Sequence, residues 1–180
     1  MQNPRKTVVR AFRLDASLLE RLQVVSQRHR LSENAFVGSL IDRRLKIDPL
    51  IQAFDHVSLG KETFASILGK VAAEDLECIG FSDGKRSYSL AKELLESGDV
   101  DVTFRQYVTE ILGEQARWFR AETGFARPER MTLQHGYGMR WSMFLKGFLS
   151  GAFEAVSHDK AQITATDDFV RFCFPGRVPR

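Results

Sequence analysis

The sequence has few cysteines and no long apolar run, and each absence excludes a class of protein. It has two cysteines in 180 residues, Cys78 and Cys173. Two such widely separated cysteines support neither a disulfide framework nor a zinc finger. No apolar stretch approaches the roughly 18 residues that crossing a bilayer requires. The first residues are basic but are not followed by an apolar segment, so they do not predict a secretory signal. We therefore expect a cytoplasmic protein.

Histidine is also sparse, and its spacing does not indicate a metal site. The four histidines are His29, His56, His135 and His158. None of them forms the short HxH, HxxxH or HxxC spacing of a metal site, so only a fold that brought His135 close to Cys173 would create one. The glycine-containing segment 135–138 predicts either a tight turn or a phosphate cradle that lacks the usual lysine. No Ser/His/Asp order or carboxylate pair stands out, so we expect neither an enzyme nor a cofactor.

Positive charge is concentrated at the start of the chain. Residues 1–46 contain ten Lys or Arg and four Asp or Glu, a net charge of +6. The remaining residues contain 16 Lys or Arg and 19 Asp or Glu, a net charge of −3. A basic segment joined to a mildly acidic body is typical of proteins that bind nucleic acid through their phosphates. The alternative is an ordinary solvated surface.

The basic segment also has a distinctive order of secondary structure. Residues 7–14 alternate, with Val8, Arg10, Phe12 and Leu14 on one face, and this period of two predicts a half-buried strand. Asp15 then predicts a helix cap, with a first helix over residues 16–29. Ser32 predicts a second cap, with a second helix over residues 33–45.

A lone strand with two short helices cannot form a stable core by itself. A segment of about 40 residues buries too little surface to fold alone, and a lone strand leaves backbone groups unpaired along both edges. Two copies solve both problems if their strands pair antiparallel and the helices cover one face of the ribbon. Phe12 and Leu14 then face inward. The opposite face stays exposed, and a two-stranded ribbon fits the major groove of DNA.

This order of strand, cap, helix, turn, cap and helix resembles the ribbon-helix-helix DNA-binding domain of the Arc, MetJ and CopG repressors. The resemblance covers about a quarter of the chain. It implies that the outward strand residues Val9, Ala11 and Arg13 contact base edges. It also implies that the start of the second helix, formed by Ser32, Glu33 and Asn34, holds a phosphate, as helix N-termini commonly do. We expect Arg5 and Lys6 to contact phosphates as well.

The chain is predicted to be an α+β protein with two domains. The first is the ribbon-helix-helix domain over residues 1–46, followed by a connector over residues 47–56 and a larger α+β domain over residues 57–180. We assign no family to this larger domain. Helices are predicted over residues 60–76, 85–97, 103–112 and 138–156, with a turn at residues 82–84. Strands are predicted over residues 115–123, 131–135, 160–166 and 169–174.

Aromatic residues are frequent in the larger domain, where they indicate either core or a ligand pocket. The helix carrying Trp141, Phe144 and Phe148 is the candidate for lining a pocket or an interface. We therefore interpret the chain as a dimeric transcription regulator that binds double-stranded DNA. Its second domain would sense a small molecule or mediate assembly. One alternative is an antitoxin-type repressor whose second part binds a protein partner, and another is a scaffold protein that has lost DNA binding.

Overall fold

The computed structural model describes residues 8–54, 59–95, 99–124, 127–157 and 160–175. The chain divides into two compact units, residues 1–45 and 46–180. We call the first unit the head and the second the body, and each is described by itself.

The head contains two capped helices. Helix α1 spans Ala16–Arg28, and the Asp15 side chain accepts a hydrogen bond from the Ser17 amide at its start. The Ser17 hydroxyl also donates to the Asp15 carboxylate. The bonds from the hydroxyl and the amide of Ser17 hold the pKa of Asp15 below its ordinary value. Helix α2 begins at Glu33, where the Ser32 hydroxyl accepts from the Ala35 amide at 3.2 Å. Both predicted caps are therefore confirmed.

Two predictions for the head differ from the structure. Residues 8–15 form no strand in the single chain, and position 7 of the predicted segment lies outside the described residues. A strand is defined by its hydrogen-bonded partner, and one chain supplies no partner for this segment. Helix α2 does not end at Leu45 but spans Glu33–Phe54. Apolar residues at positions 47, 50, 51 and 54 have helical spacing, which outweighs the bias against helix before Pro49.

The body combines helices with one antiparallel sheet, which confirms the mixed α+β class. Its helices in the described residues are α3 (Lys61–Leu68), α4 (Ala73–Leu94), α5 (Val100–Gln106), a π-helix (Tyr107–Gln115) and α6 (Met139–Glu154). Its strands are β1 (Arg120–Gly124), β2 (Arg127–Gln134), β3 (Gln162–Ala165) and β4 (Phe169–Cys173). The sheet order is β1-β2-β4-β3, and every neighbouring pair is antiparallel.

One face of the sheet packs against helices and holds the core. Along β2 and β4 the buried residues alternate, as a half-buried strand requires. Met131 and Leu133 on β2 lie beside Phe172 and Val170 on β4, and all four are fully buried. Helix α6 lies against β3 and β4, while the π-helix lies against β1. These contacts fix the positions of the π-helix and of the ends of β1 and β2.

Glycines allow α4 and α6 to pack in direct backbone contact. Gly80 and Gly84 of α4 face the backbone of α6, and Gly147 and Gly151 of α6 face the backbone of α4. A Cβ at any of the four would lie 2.0–2.2 Å from a carbonyl oxygen of the other helix. The predicted turn at residues 82–84 is therefore wrong. Its glycine lies inside one 22-residue helix, where it serves close packing.

Other boundaries shift in the body for local reasons. The predicted helix over residues 60–76 is divided, because α3 ends at Leu68 and α4 begins at Ala73. The Arg140 guanidinium donates to the carbonyl oxygens of Leu68 and Val71, which satisfies the end of α3. The predicted strand from residue 115 begins at Arg120 instead, because the π-helix continues through Gln115.

Candidate functional site

The head exposes most of its apolar side chains. Its large exposed hydrophobic residues are Val8, Val9, Phe12, Leu14, Leu18, Leu19, Val24, Leu31, Leu40, Ile41 and Leu45. In residues 8–45 Ser26 is buried, and no hydrophobic side chain of that range is buried. Phe12 is 74% exposed and Leu45 is 72% exposed. A contiguous unit with this much uncovered apolar surface is typical of an interaction site.

The three predicted base-contacting residues lie on the extended segment before α1. Val9 is 93% exposed, and Ala11 and Arg13 are exposed as well. The structure thus leaves all three accessible to a partner. Arg5 and Lys6, which we expect to contact phosphates, lie outside the described residues.

The start of α2 provides backbone donors for an anion. The Ser32 side chain accepts a hydrogen bond from the Ala35 amide, the residue that follows Glu33 and Asn34. Both residues are exposed in the first turn, at the positive end of the helix dipole. This is the geometry in which helix N-termini bind phosphate. The Glu33 carboxylate is a like charge for such a ligand, so binding there requires it to turn away.

The body contains a cavity of about 580 Å³ at the start of β1. It is lined by Thr109, Gly113, Glu114, Arg117, Trp118, Phe119, Arg120, Ala121, Gln134, His135 and Tyr137. The π-helix, the turn after it, the paired ends of β1 and β2, and the turn after β2 therefore supply its wall. The volume falls within the range of about 300–1,000 Å³ that is usual for small-molecule sites.

Two unusual backbone features border this cavity. The π-helix is nine residues long, whereas π-helical geometry is rare and concentrates at functional sites. Its last turn closes with the Ala116 amide bonded to the Ile111 carbonyl and the Trp118 amide bonded to the Leu112 carbonyl. Between them Arg117 has a left-handed φ of 56°, a position where helices usually place glycine.

His135 is held by hydrogen bonds at both ring nitrogens. Its Nδ1 accepts from the Tyr137 amide at 3.4 Å, and its Nε2 lies 2.8 Å from the Ser142 hydroxyl. Ser142 in turn donates to the Thr166 carbonyl, so the imidazole donates from Nε2 in its neutral form. Burial lowers the pKa of His135 below 6.5, and the charge of Asp168 opposes that shift. The pair therefore holds β2, α6 and the β3–β4 turn together.

The Ser142–His135 pair does not have the access that nucleophilic catalysis requires. Ser142 is fully buried, and its hydroxyl proton is already directed at a backbone carbonyl. A nucleophilic serine must instead present its oxygen to substrate beside a base. The geometry assigns this pair a structural role. Sequence spacing did not predict it, because the two residues lie on different elements.

The residues predicted to line a pocket lie behind the cavity. Trp141 and Phe148 are buried, Phe144 is partly buried, and none of the three is among the lining residues. Trp118 lines the cavity and also contacts these three residues. The centroid of its ring lies 5.4 Å from that of Trp141, 6.0 Å from that of Phe144 and 5.1 Å from that of Phe148. They form the aromatic support of the cavity wall.

Metal-binding residues do not cluster in the described part of the chain. No group of three or more His, Cys, Asp or Glu there is placed to hold a metal ion. Cys173 pairs with Arg130 in the β2–β4 ladder, whereas His135 follows the other end of β2. The five residue steps from position 130 to position 135 correspond to about 17 Å along an extended strand.

Comparison with protein-family models, with curated proteins and with solved structures found no match to this chain. Among the residues that the structure describes, no helix has both the length and the apolar composition needed to cross a membrane.

Proposed function

We propose that the chain is a cytoplasmic, DNA-binding transcription regulator that acts as a dimer through a ribbon-helix-helix head. In the dimer the segments over residues 7–14 pair antiparallel and enter the major groove. Val9, Ala11 and Arg13 then face the base edges. The starts of the two copies of α2 hold flanking phosphates.

The exposed apolar surface of the head is the observation that carries this proposal. Six of the exposed residues belong to the face and helix stripes that pairing would cover, namely Phe12, Leu14, Leu18, Leu40, Ile41 and Leu45. Burying such a side chain fully contributes about 1.5–3 kcal/mol. These six are roughly half exposed to begin with, so twelve of them in a dimer contribute on the order of 12 kcal/mol.

That gain is comparable to the cost of bringing two chains together. Association costs about 4–15 kcal/mol in lost translational and rotational freedom. Burial of the apolar surface against a second head therefore roughly offsets the cost of association, and we expect the fraction of dimer to depend on protein concentration. Pairing also satisfies the backbone of residues 8–15, which has no ladder partner in the single chain.

The charge of the head favours DNA as the partner of the exposed ribbon face. The described residues 8–45 contain seven arginines and four acidic residues, and all seven arginines are exposed. Lysine or arginine contacts with phosphate release counterions and supply most non-specific affinity. Specificity would rest mainly on Arg13, because a guanidinium can bond bidentately to guanine. Val9 and Ala11 offer only apolar contacts, for example to thymine methyl groups.

In this proposal the body tunes DNA binding rather than contacting bases. The net charge of −3 over residues 47–180 makes this part of the chain a poor partner for phosphates. Self-association of the body raises the effective concentration of one head for the other. A ligand that prefers one arrangement of the bodies then shifts DNA affinity by its differential affinity. The cavity at the π-helix is the site that we assign to such a ligand.

Selection of bound fragments from a genomic DNA pool tests the proposal. The full chain should enrich fragments that contain two half-sites related by two-fold symmetry, because a symmetric dimer reads a symmetric site. Raising the salt concentration should weaken retention of random fragments first, since their binding is electrostatic. No enrichment over random DNA at any salt concentration, together with a monomer by sedimentation, would overturn the proposal.

A further inference from the structure

We propose that the cavity at the π-helix binds a free amino acid with an aromatic side chain, held as a zwitterion. This names the ligand class for the effector site of the proposed function. The binding itself involves only residues of the body. It can therefore be measured without DNA, and its failure would leave DNA binding by the head unaffected.

The walls of the cavity suit an aromatic ring. Trp118 and Tyr137 are partly buried, and Phe119 is buried. Tyr137 lies against Trp141 at 5.9 Å and against Phe64 at 6.0 Å, so neighbouring rings hold it in place. A planar apolar ligand can stack on such fixed rings and gain about 0.5–1.5 kcal/mol beyond its area burial per pair.

The cavity also presents two opposite charges that do not neutralise each other. Glu114 and Arg117 both line it, and both are exposed. Neither side chain has an ion pair within 4 Å among the described residues. Arg120, the other cation in the lining, lies 3.9 Å from Glu122. An α-amino acid carries a carboxylate and an ammonium group close together, which complements one free guanidinium and one free carboxylate.

The remaining polar groups limit how the ligand can be held. Both ring nitrogens of His135 are already hydrogen-bonded, to Tyr137 and to Ser142. The histidine therefore forms part of the cavity wall and offers the ligand no free hydrogen-bond acceptor. Gln134 is exposed at the end of β2 and supplies both an amide donor and a carbonyl acceptor. The recognition of charge therefore depends on Glu114 and Arg117.

The backbone of Arg117 adopts a conformation that is costly for a residue with a side chain, with a φ of 56°. A residue other than glycine in the left-handed region is disfavoured by about 1 kcal/mol or more. Glycine would fit this helix end without strain. Strain of this kind concentrates at ligand sites, where the surrounding structure fixes a needed side chain. Glu114 lies in the last turn of the π-helix, and Arg117, with its left-handed backbone, follows three positions later. One irregular segment therefore supplies both charges.

Calorimetry with the full chain tests the inference with three matched probes. L-phenylalanine carries both charges, 3-phenylpropionate lacks the ammonium group, and phenethylamine lacks the carboxylate. L-phenylalanine should bind at least about tenfold more tightly than either analogue, because each analogue loses a bond to a charged group. L-tyrosine and L-tryptophan should be titrated as well, because the cavity volume does not distinguish the three rings.

Two variants assign the charges separately. Arg117→Gln should weaken L-phenylalanine and 3-phenylpropionate by about tenfold and leave phenethylamine unchanged. Glu114→Gln should weaken L-phenylalanine and phenethylamine and leave 3-phenylpropionate unchanged. Glu74→Gln, an exposed substitution on α4 that is not among the lining residues of the cavity, is the matched control and should change none of the three. Thermal unfolding of each variant confirms that it remains folded.

Each other outcome overturns the inference. If none of the three aromatic amino acids binds at millimolar concentration, the cavity is not their site. If 3-phenylpropionate binds as tightly as L-phenylalanine, the ligand class is not zwitterionic. If L-phenylalanine binds but neither variant weakens it, binding occurs elsewhere on the chain.

Discussion

Gly147 of α6 lies directly against the carbonyl oxygen of Glu77 on α4, so close that a Cβ there would be 2.0 Å from that oxygen. Gly84 of α4 makes the equivalent contact with α6, where an added Cβ would lie 2.0 Å from the carbonyl oxygen of Phe148. The contacts advance in the same direction along both helices, since Gly80 meets Phe144 and Gly84 meets Phe148, so the two helices are parallel. The atoms met are backbone, which cannot move aside as a flexible side chain can.

The first prediction is that Gly147→Ala destabilises the body. Because the added methyl group must push the two helices apart, we expect a loss of about 1–3 kcal/mol or more, as for other overpacked cores. Ser82→Ala, on the exposed face of α4, is the matched control and should change stability by less than about 0.5 kcal/mol. Chemical denaturation measures both. Equal stability of Gly147→Ala and wild type would contradict the close helix packing.

The second prediction concerns the strained helix end at the cavity. Arg117→Gly should stabilise the fold by up to about 1 kcal/mol, because glycine adopts a φ of 56° without the steric cost of a side chain. The same change removes the guanidinium from the cavity, so L-phenylalanine affinity should fall while stability rises. Thermal unfolding and calorimetry measure the two effects. A destabilised Arg117→Gly would indicate that the side chain supports the fold instead.

The third prediction is a pH dependence carried by His135. Its pKa is lowered in the folded state, mainly by burial, against an ordinary value of 6.5. The unfolded chain therefore binds more protons, and stability must rise with pH across this window. The contribution is complete above about 6.5 and is lost as the pH falls from there through the folded-state pKa. Protonation also converts Nδ1 into a donor, which breaks its bond from the Tyr137 amide.

Denaturation of wild type and His135→Gln between pH 5 and 8 checks this dependence. The difference in unfolding free energy between the two should shrink as the pH falls below 6.5. The other histidines are common to both chains and cancel in the difference. A constant difference across the range would show that His135 does not titrate with a lowered pKa.

The fourth prediction assigns sequence discrimination to Arg13. Arg13→Ala should lose about 1–3 kcal/mol of preference for the selected site over random DNA, while salt-sensitive binding to random DNA persists. Lys6→Ala should instead weaken both DNAs alike and lower the salt slope by about one ion. Filter binding at several salt concentrations measures both. Equal losses on cognate and random DNA for Arg13→Ala would remove it as the base reader.

The sequence predicted the elements whose signals are local. Asp15 and Ser32 cap their helices as predicted because a side chain two or three residues from an amide can reach it in any tertiary context. Helix α6 follows its apolar spacing closely, from Met139 to Glu154. Four strands were predicted in the body, and each overlaps an observed strand because turn residues separate their alternating patterns, although β1 begins five residues later and β2 four residues earlier than predicted.

The remaining errors arise where distant residues decide the local structure. Gly84 follows Ser82 and Asp83, which locally favour a turn, but its contact with Phe148 64 residues later holds it in a helix. The cavity is also assembled from distant segments, so no single stretch of sequence carries its pattern. A π-helix has no distinct propensity signature, and Arg117 does not resemble the glycine usual at a helix end. The strand predicted over residues 7–14 is absent from the described residues 8–14, because a strand needs a pairing partner and the single chain supplies none.

We propose that the head binds DNA only as a dimer whose interface includes Phe12. Sedimentation of the full chain with a selected DNA fragment tests it most directly. Wild type should place two chains on each site, and Phe12→Ala should abolish both dimer and site binding, because truncating a buried Phe costs about 3–5 kcal/mol. Val9→Ala, on the opposite face of the same segment, should leave dimerisation unchanged. One chain per site, or a Phe12→Ala variant that dimerises and binds like wild type, would contradict the account.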